Sequence, residues 1–162
     1  MTGIQRALEI PAPIGKVWAW LLDVKNWDVL SDEFVGSKGR YHYETVPAPD
    51  ASAEVSKGCE VRMLDSKQAE FLRWKVLECE PPRRLTQSTS MGGWLHGFNF
   101  QLSYGLESET EGFTKVQLDL FLVYTNSILE VLSLFLPVRY FYGRSLDKML
   151  RKMRSSLGSC PP

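Results

Sequence analysis

Two histidines and a set of inward-facing polar and aromatic residues are the places where this sequence could do chemistry. His96 opens the most regular strand pattern of the chain, on the side of the alternation that carries Phe98 and Phe100, and imidazole is the side chain best suited to moving protons near neutral pH. A lone histidine at a strand end is more often simply solvated. Two histidines assemble no Ser-His-Asp set. Tyr43 and Tyr124 are the other two candidates for proton transfer. Gln87 and Thr89 fall in step with the apolar Leu85 and Met91, where an unpaired polar group would cost about 1–3 kcal/mol. They read either as hydrogen-bond partners for a ligand or as groups that bond one another or a bound water. Arg139 and Tyr142 stand where a terminal helix resumes after Pro137.

The remaining candidates are apolar. Val61, Met63, Trp74, Phe98 and Phe100 share the covered parity of their strands, where core packing and cavity lining use the same residue types. Cys59, Cys79 and Cys160 are an odd number without paired spacing, which points to free thiols in a reducing cytoplasm. With two histidines beside them they make no metal set, and Gly92-Gly93 is too short for a phosphate loop, so neither metal nor cofactor is expected.

Positioning these groups requires a sheet. Gln5–Ile10 reads as a strand, closed by Pro11-Ala12-Pro13, and Ile14, Val17, Trp18, Leu21 and Leu22 then recur at helical spacing. A second short helix carries Trp27 and Leu30. Strand patterns follow over 40–46, 59–65, 69–78, 84–91, 96–106 and 114–124, the last two with strict alternation, as in an antiparallel sheet with one face covered. Pro47 to Lys57 reads as an exposed loop.

At the C-terminal side, Ser127 and Glu130 form a capping box for a helical stretch reaching Leu157. Pro137 divides it, and the first piece, Ile128 to Leu136, is apolar nearly all round. In the second piece Leu146, Met149, Leu150, Met153 and Leu157 form a stripe to be buried, and Gly158 offers a left-handed stop. The run 128–142 is interrupted by Glu130, Ser133, Pro137 and Arg139, which argues against a membrane span.

Composition bounds the rest. Hydrophobic residues are 44% of 162, enough for one domain, 1–162, with a true core. Lys plus Arg equals Asp plus Glu at 19 each, so no cationic excess points to nucleic acid. The N-terminal residues hold no apolar run of signal-peptide length.

The order of elements resembles the helix-grip fold of the START and SRPBCC superfamily. Ala12-Pro13 followed by Val17-Trp18, then Asp23 and Trp27, is similar to its opening helix. Gly58 before a strand, Trp74-Lys75-Val76 running into Glu80-Pro81-Pro82-Arg83-Arg84-Leu85, and Thr114-Lys115-Val116 fit as well. Leu30 stands where many relatives carry a second Trp. The resemblance implies an α+β protein whose seven-stranded, curved antiparallel sheet wraps a long C-terminal helix, with two short helices after the first strand. It further implies a protein that binds a small hydrophobic ligand, such as a lipid, isoprenoid or polyketide, between sheet and helix, with Arg139 bordering the cavity mouth where it suits an acidic head group. A polyketide cyclase or dehydratase using the same cavity, and a protein-interaction module built on 128–136, are the rival readings.

Overall fold

The computed structural model describes residues 2–28, 41–46, 55–90, 98–110, 112–124 and 137–158. Seven strands form one antiparallel sheet: β1 (Thr2–Ile10), β2 (Tyr41–Val46), β3 (Glu60–Asp65), β4 (Glu70–Glu80), β5 (Arg84–Ser90), β6 (Phe98–Thr110) and β7 (Phe113–Tyr124). Their order is β1-β7-β6-β5-β4-β3-β2, a meander from β2 to β7 to which the first strand returns as an edge. The other edge is β2, so the sheet stays open. Two helices complete the described fold, α1 (Ile14–Leu22) and α2 (Val138–Gly158), with a 3₁₀ turn at Val24–Asn26.

Period-two patterning decides which way every strand faces. Leu72, Trp74 and Val76 are buried while Arg73 and Lys75 are exposed, and Val116, Leu118, Leu120 and Leu122 line the covered side of β7. Register shifts between Met63 and Leu64, Val76 and Glu78, and Ser108 and Thr110 insert bulges. Bulges bend strands and increase their twist, which is how a sheet of this width curls. Gly58 takes φ +86° in the turn leading to β3, a conformation that glycine adopts freely, and its N–H bonds Val76 O at 2.9 Å.

The helices cover the concave side. Val17, Trp18 and Leu21 of α1 are buried, and so is the α2 stripe Leu146, Met149, Leu150, Met153 and Leu157. One cation sits among these apolar contacts. Arg6 shares the inward parity of Ile4 and Leu8 on β1, and its Nε lies 3.2 Å from Asp147 of α2. Gly143 stands directly over the same guanidinium, where a Cβ would overlap it. The short side of α2 therefore fits onto β1 by leaving out a side chain.

Two expectations change. β6 runs to Thr110 rather than Leu106, because its end pairs with the start of β7 up to Thr110↔Phe113. Gly158 is the last helical residue and does not take the left-handed stop; a Cβ there would meet Pro11 Cγ at 3.5 Å, so it closes against the end of β1. The Ser127–Glu130 capping box, the apolar piece 128–136, Leu30, the loop 47–54, Met91, Cys160 and His96 lie outside the described residues.

Candidate ligand site

The expected site residues fall in rows across the concave face. Val61, Trp74, Thr89, Phe100 and Leu122 are successive partners from β3 to β7. Beside them run Val76, Gln87, Leu102, Leu120 and Ile4, from β4 to β1. All ten are buried. Met63 pairs with Tyr43 on the β2 side, and the Tyr43 hydroxyl donates to Met63 Sδ at 3.4 Å. The Tyr43 ring meets Trp27 edge to face at 6.1 Å, and Trp27 is itself pinned by its indole N–H to Leu21 O at 2.8 Å.

Tyr104 shows how strongly the sheet curls. It lies on β6, four strands away from Tyr43 in the sheet order, yet the Tyr104 phenol feels the Tyr43 hydroxyl. Burial, and secondarily the proximity of Tyr43, pushes the Tyr104 phenol well above the usual tyrosine range. Tyr104 therefore keeps its proton at neutral pH and can only donate it or hold it. Tyr104 has the same parity as Phe100 and Leu102, and that alternation already sets it on the covered face with Trp74, Phe98 and Tyr124, where core packing and cavity lining are both open to it.

A second aromatic group forms where α2 begins. Phe100 and Tyr142 meet edge to face at 5.6 Å, and burial, with Tyr124 nearby, raises the Tyr142 phenol. Phe100 and Tyr142 are thus brought together, with Tyr124 close to the Tyr142 phenol. Phe98 pairs with Tyr124 in the ladder. Arg139 is exposed at the first turn of α2, as is Arg144.

The two polar residues of β5 part company. Thr89 donates its hydroxyl to Arg73 O at 2.6 Å, so the strand beside it satisfies its donor. Gln87 is 3% exposed, and its Oε1 is buried with no hydrogen-bond partner among the described residues. An amide oxygen in that state is a ready acceptor for a donor brought from outside.

The described residues also outline two open clefts. One of about 880 Å³ is lined by Ile14, Pro82, Arg83, Arg84, Gly105 and Lys115 among others, at the end of the sheet where β4 turns into β5. Another of about 450 Å³ lies along the outward residues Arg73, Lys75, Ser88, Asn99 and Gln101, with Thr89 and Phe100 also bordering it. Thiol chemistry has little support. Burial raises both Cys59 and Cys79, which keeps them as unreactive thiols.

No protein-family model matches the sequence. No curated protein matches it either. Solved structures do. A START superfamily protein from Mycobacterium smegmatis superposes with a TM-score of 0.65 at 10% identity, covering 96% of this chain and 97% of that one. Norcoclaurine synthase from Thalictrum flavum, in complex with dopamine and hydroxybenzaldehyde, gives 0.62 at 12% identity over 99% and 89%. DynU16, from the dynemicin biosynthetic locus, gives 0.58 at 18% identity, covering 97% of this chain and 47% of its own. With an open seven-stranded antiparallel sheet covered by a long C-terminal helix, the chain has the helix-grip fold and shares it with these structures.

Proposed function

We propose that the protein binds a small, mostly apolar ligand between the concave face of the sheet and α2, and that the ligand gives one hydrogen bond to Gln87 Oε1. The observation carrying this reading is the buried Oε1, without a partner among the described residues, on a strand position whose ladder neighbours are Val76 and Leu102. An apolar wall with one orphaned acceptor favours a guest that is hydrophobic over most of its surface and carries a hydroxyl or N–H at one point. Lipids with a free hydroxyl, isoprenoid alcohols and phenolic polyketides share that character. That a structural neighbour was solved with dopamine and hydroxybenzaldehyde supports the class, since both are small aromatic molecules with hydroxyls.

A paired titration tests it. Naphthol and naphthalene differ by one hydroxyl, and Trp74 supplies a fluorescence signal on the site wall. Naphthol is expected to bind about tenfold more tightly, the worth of one well-made hydrogen bond, and Gln87→Leu is expected to erase the difference. Equal affinity of the two probes for the unaltered protein, or no binding of either, would sink the reading.

A catalytic role of the cyclase or dehydratase type is the second reading. It is favoured by the neighbouring phenols Tyr43 and Tyr104, and Tyr124 and Tyr142, which burial holds in the protonated form at Tyr104 and Tyr142. Phenols raised in this way can donate a hydrogen bond to a carbonyl oxygen, while the same shift weakens them as proton donors. Turnover that survives Tyr43→Phe and Tyr104→Phe together would remove them from any mechanism. The free thiols Cys59 and Cys79 favour a reducing compartment such as the cytoplasm.

A further inference from the structure

The outer face of α2 is unlike the rest of the surface. The molecule as a whole is balanced, with 19 cationic and 19 anionic side chains, yet α2 alone carries six Lys and Arg against one acid, Asp147, which is paired to Arg6. Arg144, Lys148 and Arg151 recur at i, i+4 and i+7 and are all exposed, so they form a stripe along the side of the helix turned away from the core. At the N-terminal end of that stripe stand Tyr140 and Phe141, 63% and 62% exposed, the two most exposed large apolar residues among those described. Arg144 follows Tyr140 by four positions and Phe141 by three, so it lies between them one turn on. The two rings meet edge to face at 5.9 Å and make one projecting apolar tip.

We infer that this face docks the protein on an anionic lipid surface. Aromatic side chains with an apolar body and, in tyrosine, a polar end settle at the level of lipid head groups, and a row of cations beside them is drawn to acidic head groups. The apolar stripe of α2 is already used by the protein's own core, so the helix cannot lie in the bilayer with its greasy side down. Contact is therefore shallow: the tip enters the head-group layer and the cationic stripe lies along it. This agrees with the finding that no described helix is long and apolar enough to cross a membrane. Duplex nucleic acid would answer the cations but would leave Tyr140 and Phe141 without a partner, since two rings turned edge to face offer no platform for stacked bases. The inference is independent of what the interior binds.

Flotation of the full chain with lipid vesicles tests it, using phosphatidylcholine alone and phosphatidylcholine mixed with phosphatidylserine. Partition onto the mixed vesicles is expected to exceed that onto the neutral ones by about tenfold or more at low salt, and to fall as salt is raised. Tyr140→Ser with Phe141→Ser should lower binding about tenfold, because the apolar tip is lost. Arg144→Ser with Arg151→Ser should remove the preference for the anionic vesicles. All four positions are exposed, so the melting temperature is expected to stay unchanged. Equal partition onto both vesicle types, no partition at all, or indifference of binding to both double variants overturns the inference. So does retention on duplex DNA at a salt concentration where anionic vesicles do not bind. If a variant fails to fold, the vesicle preference and salt response of the unaltered chain decide alone.

Discussion

Thr86 and Gln87 are neighbours in β5, both polar and both almost wholly buried at 2% and 3% exposure, yet they live in opposite circumstances. Thr86 faces the convex side. Its hydroxyl donates to Glu78 at 2.8 Å and lies 2.6 Å from the Ser103 hydroxyl, so it is served by the strand on either side. The pattern continues across β7, where Gln117 donates to Asp119 at 2.9 Å. Gln87 faces the concave side and its acceptor oxygen has no such neighbour among the described residues. Thr86 is served by its own strands, while the Gln87 acceptor on the concave face has no partner among the described residues. A polar residue that its own strands satisfy serves stability; one that they leave unsatisfied costs stability and is better explained by something the protein holds.

Four substitutions bear on that contrast, in falling order of effect. Leu102→Ala, next to Gln87 in the ladder, should lower stability by about 2–5 kcal/mol in urea unfolding, as for other fully buried leucines. A much smaller loss would mean the concave face is loosely filled around Gln87. Thr86→Val should cost about 1 kcal/mol, because Ser103 and Glu78 lose their partner but retain access to water. Tyr104→Phe should leave neutral-pH stability nearly unchanged and act at alkaline pH. Above about pH 10 an unfolded tyrosine gives up its proton whereas buried Tyr104 keeps it, so the folded state binds more protons and stability falls as pH rises. Removing the hydroxyl should make that alkaline decline shallower in a pH series of melting temperatures. Gln87→Leu should be neutral or stabilising by up to about 1 kcal/mol in the unliganded protein. Destabilisation larger than that would show that Oε1 is satisfied after all, and the contrast between the two faces would fail.

The alternation of the strands made most of this architecture readable in advance. Cys59, Val61 and Met63, the Leu72-Trp74-Val76 series and the whole inward row of β7 occupy the face their parity assigned, since a one-residue slip would have turned each set to solvent. The α2 stripe was equally plain, because Leu146, Met149 and Leu150 repeat at helical spacing against cations on the other side. What escaped was everything that depends on who sits opposite. The Glu78–Thr86–Ser103 group joins three strands, and its hydrogen bonds exist only once register is known. Arg6 shares the parity of Ile4 and Leu8, but no local pattern names what it meets. Its partner, Asp147, is the one acid of α2 and lies far along the chain. Tyr43 and Tyr104 became neighbours through curvature, which no local pattern encodes.

The return of β1 to β7 has a consequence for the way the chain acquires its shape. Ala12 and Thr114, 102 residues apart, are joined by the threonine hydroxyl at 2.7 Å, and Arg6 waits for an aspartate still further along. On the ribosome β1 emerges long before its mate, so it must remain unpaired, or shielded by a chaperone, until β7 has been made.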